Sequence, residues 1–142
     1  MSDISIEELI PHRGRMKFID KIIHIEFDQA TSLSVVSSQW PFFNGTGVHP
    51  LILVEIIAQT AGLCNGFERI QARGRNSSQE GFIVGIKKSH FYIDFIPVGT
   101  EIITCSENKY KYGNFREIHG MSKIGSETVG ETVLQVFQPE SA

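Results

Sequence analysis

The sequence has no apolar run long enough to cross a bilayer, which takes about 20 consecutive apolar residues. Its most apolar stretch, Leu51 to Cys64, is shorter and is interrupted by Glu55 and Gln59. Basic runs are missing too. Thirteen Lys and Arg stand against 16 Asp and Glu, a formal net charge of −3, which argues against a nucleic-acid partner. Cysteine is scarce: Cys64 and Cys105 lie in apolar surroundings outside any paired motif, which fits a reducing compartment better than a disulfide scaffold. The opening Met1 to Glu8 is acidic and has no apolar centre, so no secretory leader is expected. These absences together predict a cytoplasmic chain without a membrane span. His24, His90 and His119 fall in expected strands with no ligand spacing toward one another or toward cysteine, so no metal is expected. No phosphate-cradling loop occurs, no cofactor is expected, and the absence of a Gly-x-Ser-x-Gly element argues against a serine hydrolase.

What is present fits one domain over residues 1–142. Glu7 to Ile10 reads as a helical turn stopped by Pro11. Met16 to Phe27 reads as a strand, and alternation at Thr31, Leu33 and Val35 gives a second. A loop from Gln39 to Val48 follows, holding Trp40-Pro41-Phe42-Phe43. Pro50 suits a first helical position, where its missing N–H costs nothing. It opens one long helix, Leu51 to about Ala72, apolar on nearly every side through Cys64; such a helix is normally buried. Gly74 to Glu80 is polar and loop-like. The remainder predicts strands over Gly81–Ile86, Phe91–Phe95, Glu101–Tyr110, Phe115–Ile124 and Thr128–Phe137, with turns at Pro97-Val98-Gly99, Gly113-Asn114 and Gly125-Ser126. Strands, one buried helix, then a meander make an α+β pattern: an antiparallel sheet with a helix against one face.

The chemistry concentrates in Val48 to Gln59. Glu55 and Gln59 are four residues apart and share a helix face. A carboxyl in an apolar helix is costly when charged and unpaired, and burial favours its protonated form, which suits a general acid. His49 stands just before the helix, where an imidazole can accept a proton at neutral pH. The N–H groups at the Leu51 helix start offer a place for a thioester oxygen. The plainer alternative is a buried Glu55 hydrogen-bonded to Gln59 for structural reasons. His12, in Pro11-His12-Arg13, reads as a loop anchor.

Several segments resemble, in one order along nearly the whole chain, the hot-dog 3-hydroxyacyl-[acyl carrier protein] dehydratases of fatty-acid synthesis. Ile10-Pro11-His12-Arg13, with Asp20-Lys21 further on, resembles the family's Leu-Pro-His-Arg opening. Pro41-Phe42-Phe43-Asn44-Gly45 resembles its Pro-Phe-Phe-x-Gly, Glu55-Ile56-Ile57-Ala58-Gln59 its central-helix Glu-x-x-Ala-Gln, and Phe95-Ile96-Pro97-Val98-Gly99-Thr100 its turn before the final strands. The short loop makes the chain most similar to the divergent dehydratase-like proteins of aryl polyene gene clusters. The resemblance implies a hot-dog fold, a homodimer or larger oligomer, and action on thioesters of acyl carrier protein or coenzyme A. It carries the glutamate onto Glu55 and the glutamine onto Gln59. The family histidine follows the Pro-Phe-Phe-x-Gly glycine, a place that Thr46 holds here, so His49 is the histidine expected to act as base. Thr46, Leu51 and Gln59 are the expected substrate contacts. Alternative readings are a hot-dog thioesterase, in which Glu55 directs water at the thioester, and a non-catalytic subunit pairing with an active dehydratase.

Overall fold

The computed structural model describes residues 4–77 and 81–139; the Ser78 to Glu80 part of the expected loop lies outside them. The elements are α1 (Ile6–Leu9), β1 (Lys21–Glu26), β2 (Gln29–Val35), β3 (Gly47–Val48), α2 (Ile52–Arg73), β4 (Phe82–Phe91), β5 (Ile96–Pro97), β6 (Glu101–Tyr112), β7 (Phe115–Ile124) and β8 (Glu127–Phe137). Six strands form one sheet in the order β1-β2-β6-β7-β8-β4, and β3 pairs with β5 in a two-stranded ribbon. All pairs are antiparallel. The sheet wraps α2, which is the hot-dog arrangement expected. No helix among the described residues is long and apolar enough to cross a membrane.

The sheet's inner face is built to receive α2. Alternation along β2, β6 and β7 points Ser32, Ser34, Thr104, Ser106, Gly120 and Ser122 inward, all buried. These side chains are small because the helix supplies the bulk. Leu53, Ile56, Ile57 and Leu63 of α2 are fully buried, and a Cβ at Gly120 would overlap Ile57. Buried hydroxyls need partners. Ser106 Oγ donates to the Ile57 carbonyl at 2.8 Å, Ser32 and Thr60 meet at 2.8 Å, and Thr104 meets Ser122 at 2.7 Å.

Two strand expectations shift. Met16 to Asp20 does not join β1: Gly14 to Met16 is a 3₁₀ turn, and the backbone of Met16 and Phe18 bonds to the Gln59 side chain instead. A segment whose polar groups are met by a side chain has no need of a strand partner. Further on, β4 runs unbroken from Phe82 to Phe91, carried past its lysines by two irregularities in its pairing with β8. Of the expected Phe91–Phe95 strand, only Phe91 is in a strand.

The cysteines differ in a checkable way. Burial pushes the Cys64 thiol up to about 12, whereas Cys105 is half-buried on the opposite sheet face. The thiolate is the reactive form, and at pH 8 only about one Cys64 in ten thousand would be thiolate. Iodoacetamide on the native protein is therefore expected to label Cys105 and leave Cys64 until denaturant is added. Peptide mass mapping checks this.

Candidate active site

Glu55 and Gln59 lie one turn apart on α2, and the 9–18 segment crosses the same helix face. Two glycines permit the crossing. Gly62 and Gly66 continue the stripe that holds Glu55 and Gln59. A Cβ at Gly66 would overlap the Leu9 carbonyl oxygen, and one at Gly62 would sit 2.8 Å from Ile10 Cγ2. Gln59, 1% exposed, fixes the far end of the segment. Its Oε1 accepts from Phe18 N–H at 2.9 Å and its Nε2 donates to Met16 O at 2.8 Å. Phe18 is buried edge-on against Trp40, with ring centroids 5.0 Å apart. Arg13 clamps the near end, donating to Ile10 O at 2.7 Å and to Glu7 O at 2.7 Å.

These constraints set His12 over Glu55. His12 Nε2 lies 3.2 Å from Glu55 Oε1, with the two side chains 30% and 33% exposed. Gln59 Nε2 donates to the same oxygen at 3.4 Å. Both groups line a cavity of about 330 Å³ that is otherwise largely apolar, walled by Ala58, Gly62, Ile118 and Val136 among others. His12 Nδ1 is buried with no partner among the described residues.

The other expected site residues sit elsewhere. His49 is exposed, and its Nδ1 accepts from Leu51 N–H at 3.0 Å. Ile52 N–H donates to His49 O at 3.2 Å, Leu53 N–H to Pro50 O at 2.9 Å, and Val54 N–H to Leu51 O at 3.1 Å. The helix start thus closes its own donors, and a thioester oxygen at Leu51 would have to displace the imidazole. Thr46 is exposed, and its N–H and Oγ1 both donate to Asn44 Oδ1, at 3.0 and 3.1 Å. None of Thr46, His49 and Leu51 is among the described residues lining the Glu55 cavity. From its sequence context alone His12 reads as a loop anchor. The usable signal was the pair Gly62 and Gly66 in register with Glu55 and Gln59, which marks a helix face where another backbone passes close.

The family model for ApeP-like proteins, described as ApeP dehydratase, matches residues 4–142. A 3-hydroxyacyl-[acyl-carrier-protein] dehydratase FabZ of Streptococcus sanguinis is 27% identical over 140 residues, covering 94% of this chain and 96% of that protein. The FabZ of Streptococcus uberis is 30% identical over 112 residues, covering 75% and 76%. Among solved structures, the dehydratase heterocomplex ApeI:P from Xenorhabdus doucetiae superposes with a TM-score of 0.87 at 17% identity, covering 97% of this chain and 93% of that one.

Proposed function

The chain belongs to the ApeP-like dehydratase family, and from that premise we propose that residues 1–142, as one hot-dog domain, remove water from 3-hydroxyacyl thioesters borne on acyl carrier protein, in fatty-acid or polyene synthesis. The observation carrying this reading is Glu55, held by His12 and Gln59 at the wall of a largely apolar cavity. The cavity takes the acyl chain, and Glu55 delivers the proton that lets the 3-hydroxyl depart as water. The C2 proton goes to a base, for which His49 is the histidine nominated by sequence. Supplying 3-hydroxyacyl-coenzyme A and following enoyl absorbance together with thiol release tests the reading. Enoyl formation without thiol supports it; thiol release instead points to a thioesterase.

Assembly belongs to the same proposal. Strand β4 ends the sheet order, and Ile83, Val84 and Ile86 on it are exposed. An apolar, unpaired edge is a ready template for a further strand. The chain is expected to associate along β4 as a homodimer or larger oligomer. Sedimentation at micromolar concentration should show a dimer or more, and a monomer throughout the range would contradict this. The Xenorhabdus structure is of a heterocomplex, so a monomer that turns over substrate only with a second hot-dog chain would favour the subunit reading.

A further inference from the structure

We infer that Arg69, Arg73 and Arg116, at the C-terminal end of α2, form a binding site for a phosphate group, separate from the Glu55 cavity. Arg69 and Arg73 stand one turn apart on α2, and Arg116 reaches across from β7. With Asn65, Glu68 and Gln138 among others they line a second cavity of about 80 Å³, roughly a quarter of the first. That space admits a compact polar group and not an acyl chain.

Arg69 is 6% exposed, and a buried charge without a counter-charge is costly. Its Nη1 donates to Ser77 O at 2.9 Å and to Ser77 Oγ at 2.6 Å, and its Nη2 to Glu8 O at 2.8 Å. All three acceptors are neutral. Its Nε is buried with no partner among the described residues. Burial, and then the neighbouring Arg73, pull the Arg69 guanidinium below its usual range. Arg116 repeats the pattern. Its Nη1 donates to Gly113 O at 2.6 Å and to Phe115 O at 3.1 Å, and its Nε is likewise buried without a partner among the described residues. Bracing the chain accounts for the Nη bonds. It does not account for three guanidinium groups gathered round one small cavity, where like charges repel.

Asn65 adds a neutral donor. It is 7% exposed and borders both cavities. Its Oδ1 accepts from Asn108 Nδ2 at 2.7 Å, which leaves its own Nδ2 for a ligand. Arginine forks match carboxylate and phosphate alike, so charge decides between them. The carboxylate in the lining, Glu68, lies 3.5 Å from Lys111 Nζ. Three guanidinium groups less that carboxylate leave two positive charges. A phosphate group carries about −1.5 to −2 at neutral pH and offers three strong acceptor oxygens, whereas a carboxylate cancels only one charge. The phosphate is either free in solution or the one at the end of a phosphopantetheine thioester arm, a source suggested by the border shared with the Glu55 cavity at Asn65 and Gln138. The site does not depend on the dehydratase reading, because binding is measured without turnover.

Calorimetric titration of the full-length protein with inorganic phosphate tests the site, with ionic strength held constant by potassium chloride. Phosphate should bind saturably, and potassium chloride alone should give no such signal. Arg116→Gln should weaken the affinity by about tenfold or more, the loss of a charged hydrogen bond. Arg73 is exposed, so Arg73→Gln keeps the fold and should also weaken binding, by about threefold or more. Arg69 stays in place because it also ties Glu8 to Ser77. Lys109→Gln removes a cation paired with Glu107 outside the cavity and should leave the affinity within about twofold. Phosphopantetheine and pantetheine identify the source. Phosphopantetheine that competes with inorganic phosphate and shares its dependence on Arg116, while pantetheine does not bind, assigns the phosphate to a thioester arm. Binding of inorganic phosphate alone assigns a free one. No saturable binding up to about 10 mM phosphate, an affinity unchanged in both arginine variants, or an equal loss in Lys109→Gln each overturns the site.

Discussion

Glu55→Gln is expected to lower the dehydration rate by about a hundredfold or more while leaving the fold intact. The amide has the size of the carboxyl, so the cavity wall keeps its shape. The change removes the one group on α2 that can both hold and give up a proton at the cavity. His12, whose Nε2 lies 3.2 Å from Oε1 in the parent, keeps the same neighbour in the variant. Activity and melting temperature should therefore separate: a large fall in kcat and little change in stability. Full activity in this variant would remove Glu55 from the chemistry under every reading given above.

The second large effect is on stability. Gly66→Ala places a methyl group into the Leu9 carbonyl oxygen, with Leu9 C and Cα only 3.0 Å away. Backbone cannot rotate aside as a side chain can, so the 9–12 segment must lift from α2. Overpacking of this kind costs about 1–3 kcal/mol. Alanine's better helix propensity returns about 1 kcal/mol at most, so the net effect is destabilising. Gly62→Ala meets only Ile10 Cγ2, the end of a side chain that can turn, and should cost less. Denaturant unfolding should rank the two accordingly. Gly66→Ala should also lose activity beyond its stability loss, because lifting the segment carries His12 away from Glu55. Equal stability for the two variants would mean that the close approach of Leu9 to the helix is not needed.

The parts of the fold legible in the sequence are those specified locally. Helix α2 announces itself by apolar residues on all sides, because it is buried on all sides. The β6–β7 and β7–β8 hairpins announce themselves at Gly113 and Gly125, where positive φ of 58° and 61° suits glycine. Met16 to Phe18 looked like strand because its side chains have strand character; what decides otherwise is a hydrogen-bonding partner 41 and 43 positions away on Gln59. The strand expected over Gly81–Ile86 runs on to Phe91 because pairing with β8 carries it through Lys87 and Lys88, and residues 92–95 stay outside it.

The site divides in the same way. Glu55 and Gln59 were legible because a carboxyl and an amide at helical spacing are conspicuous in an apolar helix. His12 was not, since it meets Glu55 only after the N-terminal segment has packed over Gly62 and Gly66. His49 drew attention by proximity in sequence, yet its imidazole caps the start of α2. A histidine six residues before the glutamate is thus turned to solvent, while one 43 residues before it is in contact.

The most direct measurement is the intact mass of acyl carrier protein loaded with a 3-hydroxyacyl group, taken before and after incubation with the protein and, side by side, with Glu55→Gln. The parent protein should convert loaded carrier to a species lighter by one water, still acylated, while the variant should leave the mass essentially unchanged over the same interval. Carrier returned to its free thiol, or water lost at the same rate with both proteins, would contradict it.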